Sequence, residues 1–121
     1  MHALIIEDQF LVAALIEEML RGLGYTSFDV ADGEPDAIRA AGERRPDLVT
    51  ADQQLAQGSG VGAVRAICAD GAVPVVFISE YGGEVRALAP DAVLIGKPFN
   101  DRMLREAVAK ARALAAGPRQ D

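Results

Sequence analysis

Five short apolar runs alternate along the chain with longer stretches in which apolar residues recur at helical spacing. Continuous apolar runs of this kind are typical of strands buried on both faces, as in a parallel sheet that helices cover. The runs lie at residues 3–6, 25–31, 48–51, 73–78 and 92–95. Their alternation with helical stretches predicts an α/β domain built from five β–α units.

The stretches between the apolar runs carry the start and stop signals of helices. The first stretch places its apolar residues on one stripe and ends at Gly22 and Gly24. Pro35 suits the first turn of the second helix, and Pro46 suits its end. Asn100 is a favoured residue type for the N-cap of the last helix. The sequence therefore predicts five helices, one after each strand.

Short connections between parallel strands require right-handed crossovers, and five such units predict a doubly wound sheet. We expect the flavodoxin-like strand order 2-1-3-4-5, in which ligands bind beyond the carboxyl ends of strands one and three. The fourth helix shares its segment with Tyr81-Gly82-Gly83 and Ala89-Pro90, so we expect it to be short and mobile.

Composition narrows the class of protein. The 121 residues suit one domain, here residues 1–121, and a net charge of −6 argues against a nucleic-acid partner. The single cysteine, Cys68, and the single histidine, His2, argue against a disulfide framework and against an imidazole or thiolate metal site. Because the chain has neither a membrane-length apolar run nor a signal-peptide pattern, we expect a cytoplasmic protein with no membrane partner.

Charged and hydroxyl side chains at the ends of four of the predicted strands are candidates for one common site. They are Glu7 and Asp8 after the first strand, Asp52 after the third, Ser79 at the end of the fourth, and Lys97 after the fifth. Clustered carboxylates repel one another unless a cation lies among them, and carboxylate oxygens suit Mg²⁺. With Mg²⁺ bound, Asp52 could act as a nucleophile that forms an aspartyl phosphate while Ser79 and Lys97 hold phosphoryl oxygens.

Each of these residues also has a plainer interpretation. Asp8 could cap the first helix, Asp52 could open a turn, and Lys97 could be an ordinary surface lysine. Ser79 alone carries almost no information. The joint pattern and its spacing favour a common site over four independent explanations.

The combination of Glu7-Asp8, Asp52, Ser79 and Lys97-Pro98 resembles the signature of the receiver domain of two-component response regulators, and it spans almost the whole chain. The segments at residues 4–8, 46–52 and 97–99 are similar to the family's first strand, phosphoacceptor strand and last motif.

The resemblance implies that Asp52 accepts a phosphoryl group from the phosphohistidine of a histidine kinase or a histidine phosphotransfer protein. It also implies Mg²⁺ held by Asp8, Asp52, the backbone carbonyl of Gln54 and waters, with Glu7 acting through a water. Ser79 and Lys97 would bind phosphoryl oxygens. A cis Lys97–Pro98 peptide is implied as well. Such a domain catalyses its own phosphorylation and dephosphorylation but serves mainly as a signalling module.

Two positions depart from the family pattern. Leu94 stands where the family usually has an aromatic switch residue, and Glu80 follows Ser79 where the family has a small residue. A carboxylate there would repel an anionic group unless it points away. The strings at residues 51–55 and 58–60 are similar to receivers of general-stress-response regulators.

The remaining expectations concern how the signal is read. We expect no output domain after the last helix, and therefore a partner protein that binds the receiver itself, through roughly residues 80–112. One alternative is a pseudo-receiver that acts as a constitutive interaction module, and a less favoured one is a phosphatase with an aspartyl-phosphate intermediate. A flavin-binding flavodoxin is weaker still, because no Ser/Thr-rich loop follows the first strand.

Overall fold

A computed structural model of the chain describes residues 1–117, which form five strands and five helices in strict alternation. The strands are β1 His2–Ile6, β2 Ser27–Ala31, β3 Leu48–Ala51, β4 Val75–Ser79 and β5 Val93–Gly96. The helices are α1 Phe10–Arg21, α2 Glu34–Glu43, α3 Gly60–Cys68, α4 Gly82–Leu88 and α5 Asp101–Ala115.

The strands form one sheet in the order β2-β1-β3-β4-β5, and all four neighbouring pairs are parallel. The predicted flavodoxin-like order is therefore confirmed. The chain reverses its direction of travel across the sheet between β1 and β3. At that point Ile6 lies opposite both Ala31 of β2 and Ala51 of β3, so three strands end at the same level.

The core consists of two apolar layers, one on each face of the sheet. Ala3 and Ile5 of β1 pack into the layer that includes buried residues of α1 and α5. Leu4 and Ile6 point to the opposite face and join the layer that includes α2 and α3. Because both faces are covered, all of β1 is buried, and this explains its uninterrupted apolar sequence.

Three strands begin later than the apolar runs indicate. The run at residues 25–31 includes Tyr25, but this residue closes α1 with a hydrogen bond from its N–H to the carbonyl of Leu20. The run at residues 73–78 contains Pro74, which has no N–H to donate, and β4 begins after it. The run at residues 92–95 is shifted by one, because β5 covers Val93–Gly96.

The N-caps of α5 and α1 can be compared with two interpretations made from the sequence. The side chain of Asn100 accepts a hydrogen bond from the N–H of Met103 at 2.9 Å, so it caps α5 as predicted. The N-cap of α1 is Gln9 and not Asp8, which leaves the Asp8 carboxylate available at the end of β1.

Helix α4 has seven residues, so the expectation of a short fourth helix is confirmed. Among the described residues, no helix is both long enough and apolar enough to cross a membrane.

Candidate functional site

The sheet ladder continues one residue beyond β1 and β3, and this extension places two carboxylates at the same edge. The N–H of Glu7 donates to the carbonyl of Ala31, and the N–H of Asp52 donates to the carbonyl of Ile6, both at 2.9 Å. Glu7 is 3% exposed and Asp52 is 7% exposed. Backbone pairing therefore holds both acidic residues rigidly and largely out of water.

Lys97 bridges these two carboxylates. Its Nζ lies 2.8 Å from Glu7 Oε1 and 3.0 Å from Asp52 Oδ2. Burial raises the pKa of Glu7, and the hydrogen bond from Lys97 offsets only part of that effect. Burial acts to lower the pKa of Lys97, but its hydrogen bonds to Glu7 and Asp52 outweigh burial and raise it. Lys97 is thus a charged ammonium shared by two buried acids.

Asp8 completes a group of three carboxylates. It is exposed, and one carboxylate oxygen from each of Glu7, Asp8 and Asp52 lies within 4.8 Å of the others. Lys97 supplies one positive charge to this group, so two negative charges stay uncompensated. Mg²⁺ prefers oxygen ligands at about 2.1 Å in an octahedron, and carboxylates this close together can bind one such ion. The donor set therefore fits Mg²⁺.

Ser79 lies at the same edge of the sheet, paired in register with Gly96. It is 1% exposed, and its Oγ accepts a hydrogen bond from the N–H of Tyr81 at 2.9 Å. The hydroxyl therefore supports the segment that leads into α4, and its own proton stays free to donate. The Lys97–Pro98 peptide at the end of the neighbouring strand is cis.

The loop from β3 to α3 forms one wall of the site. Gln54 pairs with Ser59 across this loop in an isolated antiparallel bridge. A Cβ on Gly60 would overlap the backbone carbonyl oxygen of Asp52, so only glycine fits there. This close approach explains the glycine that the sequence places after Ser59.

Two residues of this region were not found from the sequence. Gln53 follows Asp52 directly, is 2% exposed, and donates its N–H to Asp52 Oδ1 at 2.7 Å. Glu84 lies on α4 and accepts hydrogen bonds from the side chains of Gln53 and Gln54. A glutamine after a strand and a glutamate on a short helix have no local signal that would pair them.

The two departures from the receiver pattern occupy different environments. Leu94 is partly buried and packs against the core, and its Cδ2 lies beneath the start of α4, close to Gly82. Glu80 is exposed and lies at the mouth of a groove lined by Lys97, Pro98 and apolar residues of α1.

Cys68 and His2 lie away from this edge. Cys68 is partly buried against the core layer of α2 and α3. His2 is buried at the opposite edge of the sheet, where its ring nitrogens lie 2.8 Å from Ser27 Oγ and 3.0 Å from Asp29 Oδ2. Both residues therefore lie outside the candidate site.

Known proteins with similar sequences fall into one family. Residues 3–109 match the response regulator receiver domain. The phyllosphere-induced regulator PhyR of Methylorubrum extorquens is 38% identical over 112 residues, which cover 89% of this chain and 42% of PhyR. The DNA-binding response regulator MtrA of Mycolicibacterium smegmatis is 33% identical over 91% of this chain and 48% of MtrA. The chain therefore spans less than half the length of these two relatives.

Solved structures agree with the sequence matches. The receiver domain of PhyR from Erythrobacter litoralis superimposes with a TM-score of 0.84 at 33% identity, covering 99% of this chain and 95% of that one. The anti-anti-sigma factor PhyR of Bartonella quintana gives a TM-score of 0.79 at 32% identity, over 91% of this chain and 46% of that one. The chain belongs to the family of response regulator receiver domains.

Proposed function

We propose that this receiver takes a phosphoryl group onto Asp52 from a phosphohistidine, in a Mg²⁺-dependent step, and signals by binding a protein in its phosphorylated state. The observation that carries the proposal is the Lys97 ammonium shared between Asp52 and Glu7, with Asp8 beside them. A buried aspartate that only opened a turn would need neither the lysine nor the other two acids.

The group transfer follows from this arrangement. A carboxylate oxygen of Asp52 attacks the phosphorus, an O–P bond forms, and the N–P bond of the phosphohistidine breaks. The imidazole nitrogen keeps the electron pair and takes a proton from solvent. Mg²⁺, held by Asp8, Asp52 and the Gln54 carbonyl with Glu7 acting through a water, would supply positive charge to offset the negative charge of the reacting oxygens.

Lys97 and Ser79 would hold the transferred group. Lys97 already points its ammonium at Asp52 Oδ2, and it can donate to a phosphoryl oxygen added there. Ser79 can turn its free hydroxyl proton toward the same oxygens while its oxygen keeps the N–H of Tyr81. The two donors lie on neighbouring strands, β4 and the end of β5, and so reach the site from one side.

We propose one protein partner that donates the phosphoryl group and another that binds the phosphorylated chain. A histidine kinase or a histidine phosphotransfer protein would supply the phosphoryl group. The region of residues 80–112 would bind the downstream partner, and it exposes apolar side chains such as Tyr81 and Leu88, which are 49% and 43% exposed. We propose a protein partner in preference to DNA because the chain carries a net charge of −6.

The names of the relatives suggest the kind of pathway. The solved structures that this chain resembles include a stress response regulator and an anti-anti-sigma factor, both called PhyR. We propose that this receiver serves a stress-response regulator of the same kind. It stays a prediction that residues 1–121 hold one receiver domain, that a separate protein binds this domain, and that it lies in the cytoplasm.

The first test is the intact mass of the chain after incubation with phosphoramidate, with and without Mg²⁺. We expect one phosphoryl adduct in wild type that requires Mg²⁺ and disappears in Asp52→Ala. Asp32→Ala is the matched control, because Asp32 follows β2 at the same edge and is exposed. This variant should form the adduct as wild type does.

Other outcomes would favour the alternatives. If wild type took no phosphoryl group from phosphoramidate or from a phosphorylated kinase, the pseudo-receiver would be favoured, and Glu80→Gly would then test whether this carboxylate blocks the site. Sustained release of phosphate from phosphate esters would instead favour a phosphatase.

A further inference from the structure

Helix α4 is weakly anchored by apolar contacts. It has seven residues, begins with two glycines, and buries Val85 alone among its side chains in the described structure. Isolated helices of this length are unstable in water, so tertiary contacts determine whether and where α4 forms. A few polar contacts at its ends therefore have a large influence on its position.

Glu84, in the first turn of α4, makes two of these contacts to the phosphoacceptor loop. Its Oε1 accepts a hydrogen bond from Gln53 Nε2 at 3.0 Å, and its Oε2 accepts one from Gln54 Nε2 at 3.1 Å. Hydrogen bonds to an ionised carboxylate are stronger than bonds between neutral groups. Each oxygen of one carboxylate is thus used to hold α4 against the loop after β3.

Gln53 connects this contact to the phosphoacceptor itself. Its backbone N–H donates to Asp52 Oδ1, and its side-chain oxygen accepts the N–H of Val61 at 2.9 Å. Its side-chain nitrogen then donates to Glu84. The Gln53 side chain is buried, and both its amide oxygen and its amide nitrogen are hydrogen-bonded. The amide therefore cannot flip without losing a bond. A displacement of the Asp52 carboxylate is therefore transmitted to α4 through one rigid residue.

We propose that Glu84 is a positioning residue that couples the state of Asp52 to α4 through Gln53 and Gln54. The proposal deepens the phosphoacceptor function and rests on it. A modified Asp52 carboxylate can no longer accept the Gln53 N–H in the same way, so the loop shifts, the bonds to Glu84 change, and α4 responds.

This route gives the chain a coupling that Leu94 cannot provide. The leucine side chain has no polar group to alternate between a buried partner and solvent, whereas the Glu84 carboxylate accepts two hydrogen bonds from the loop. A second tie to the same region is the bond from the N–H of Tyr81 to Ser79 Oγ. Both ties lead from site residues to the start of α4, and Glu84 itself is not one of the residues that would hold the metal or the phosphoryl group.

The test is amide hydrogen exchange of α4 in the full chain, before and after phosphorylation with phosphoramidate and Mg²⁺. In wild type we expect phosphorylation to change the exchange rates of α4 amides. In Glu84→Ala we expect α4 to exchange about tenfold faster before phosphorylation, since two hydrogen bonds are lost. The further change on phosphorylation should fall to less than about twofold, the scale of one weak exposed contact.

Two variants separate coupling from a general loss of order. Glu84→Gln keeps one side-chain oxygen for Gln53 and should restore most of the wild-type protection and response. Asp91→Ala removes the same charge from an exposed position beyond the other end of α4 and should behave as wild type. Intact mass must show that Glu84→Ala still takes up the phosphoryl group.

The outcomes are distinguishable. If Glu84→Ala is phosphorylated and its α4 responds as in wild type, the coupling is overturned while the proposed function stands. If α4 of Glu84→Ala exchanges at the wild-type rate before phosphorylation, the positioning role is overturned as well. A wild-type chain that takes no phosphoryl group overturns the proposed function and the coupling together.

Discussion

At the scale of single residues, the site depends on one ammonium shared by two buried acids. Lys97 has 10% of its side chain exposed, and its carboxylate partners Glu7 and Asp52 have 1% and 9% exposed. Removing one partner of such a cluster leaves buried charge uncompensated, which is costlier than losing a surface ion pair. The lysine therefore contributes to folding as well as to the proposed phosphoryl transfer.

Substituting Lys97 should lower stability in a pH-dependent way. In Lys97→Met without metal, we expect the free energy of unfolding to fall by about 3 kcal/mol near neutral pH. Burial already raises the pKa of Glu7, and losing the lysine raises it further, so the folded state takes up a proton. The deficit should shrink as pH falls through the raised pKa of Glu7.

Urea denaturation at several pH values measures this effect. Lys110→Met, which removes an exposed lysine from α5, is the control and should change stability by less than about 0.5 kcal/mol. A deficit of equal size at low and neutral pH would contradict the explanation.

Tyr25 offers a separate test away from the site. Its hydroxyl is buried without a hydrogen-bond partner among the described residues, and burial raises its pKa above 10.0, although the charge of Arg112 opposes this. The folded state thus resists ionisation of Tyr25, and stability should fall as pH rises from about 10 toward the raised pKa. Tyr25→Phe should remove this alkaline loss with little cost at neutral pH, as thermal unfolding across that range can show.

At the scale of elements, the loop after β3 and helix α4 tolerate change very differently. A Cβ at Gly60 would meet the backbone of Asp52, whereas a Cβ at Gly83 would meet nothing within 4 Å. The first glycine is required by a close backbone approach, and the second only weakens its helix.

Two alanine substitutions make the contrast measurable. Gly60→Ala should destabilise the fold by about 2–3 kcal/mol, because backbone must move to admit the methyl group. Gly83→Ala should stabilise it by about 0.5–1 kcal/mol through helix propensity. Chemical denaturation of both variants beside wild type would check the opposite signs, and a loss of stability in Gly83→Ala would disagree with the open space around it.

Much of this architecture could be predicted because its signals are local. Buried strands show as apolar runs, and the residues that follow β1, β3 and β5 lie at one edge whatever the detail of the helices. The start of β4 was misjudged because Pro74 is apolar but cannot donate to the ladder. The bond between Gln53 and Glu84 joins residues 31 positions apart through polar side chains, and such a pairing leaves no periodic trace.

At the scale of the whole molecule, the charge of the site predicts a response of folding to metal. Three carboxylates and one ammonium leave negative charge that the folded chain brings together and the unfolded chain disperses. Mg²⁺ should therefore bind the folded state and raise its stability by mass action, by about 2.7 kcal/mol at a hundred times the dissociation constant.

Thermal unfolding with Mg²⁺, and again after chelation, tests this linkage. Wild type should lose the added stability when the metal is removed. Asp8→Ala should show little gain from Mg²⁺, whereas the exposed Asp32→Ala should gain as wild type does. An equal gain in Asp8→Ala would place the ion elsewhere.

The sheet ladder continues into the site, whereas α4 buries a single side chain. This contrast affects how such proteins can diverge in sequence during evolution. The ladder fixes Glu7 and Asp52 through backbone bonds that substitutions other than proline leave in place. Helix α4 exposes most of its residues and carries little of the core. Duplicated copies could therefore change residues along α4 and bind new partner proteins, while the proposed phosphoryl chemistry is kept.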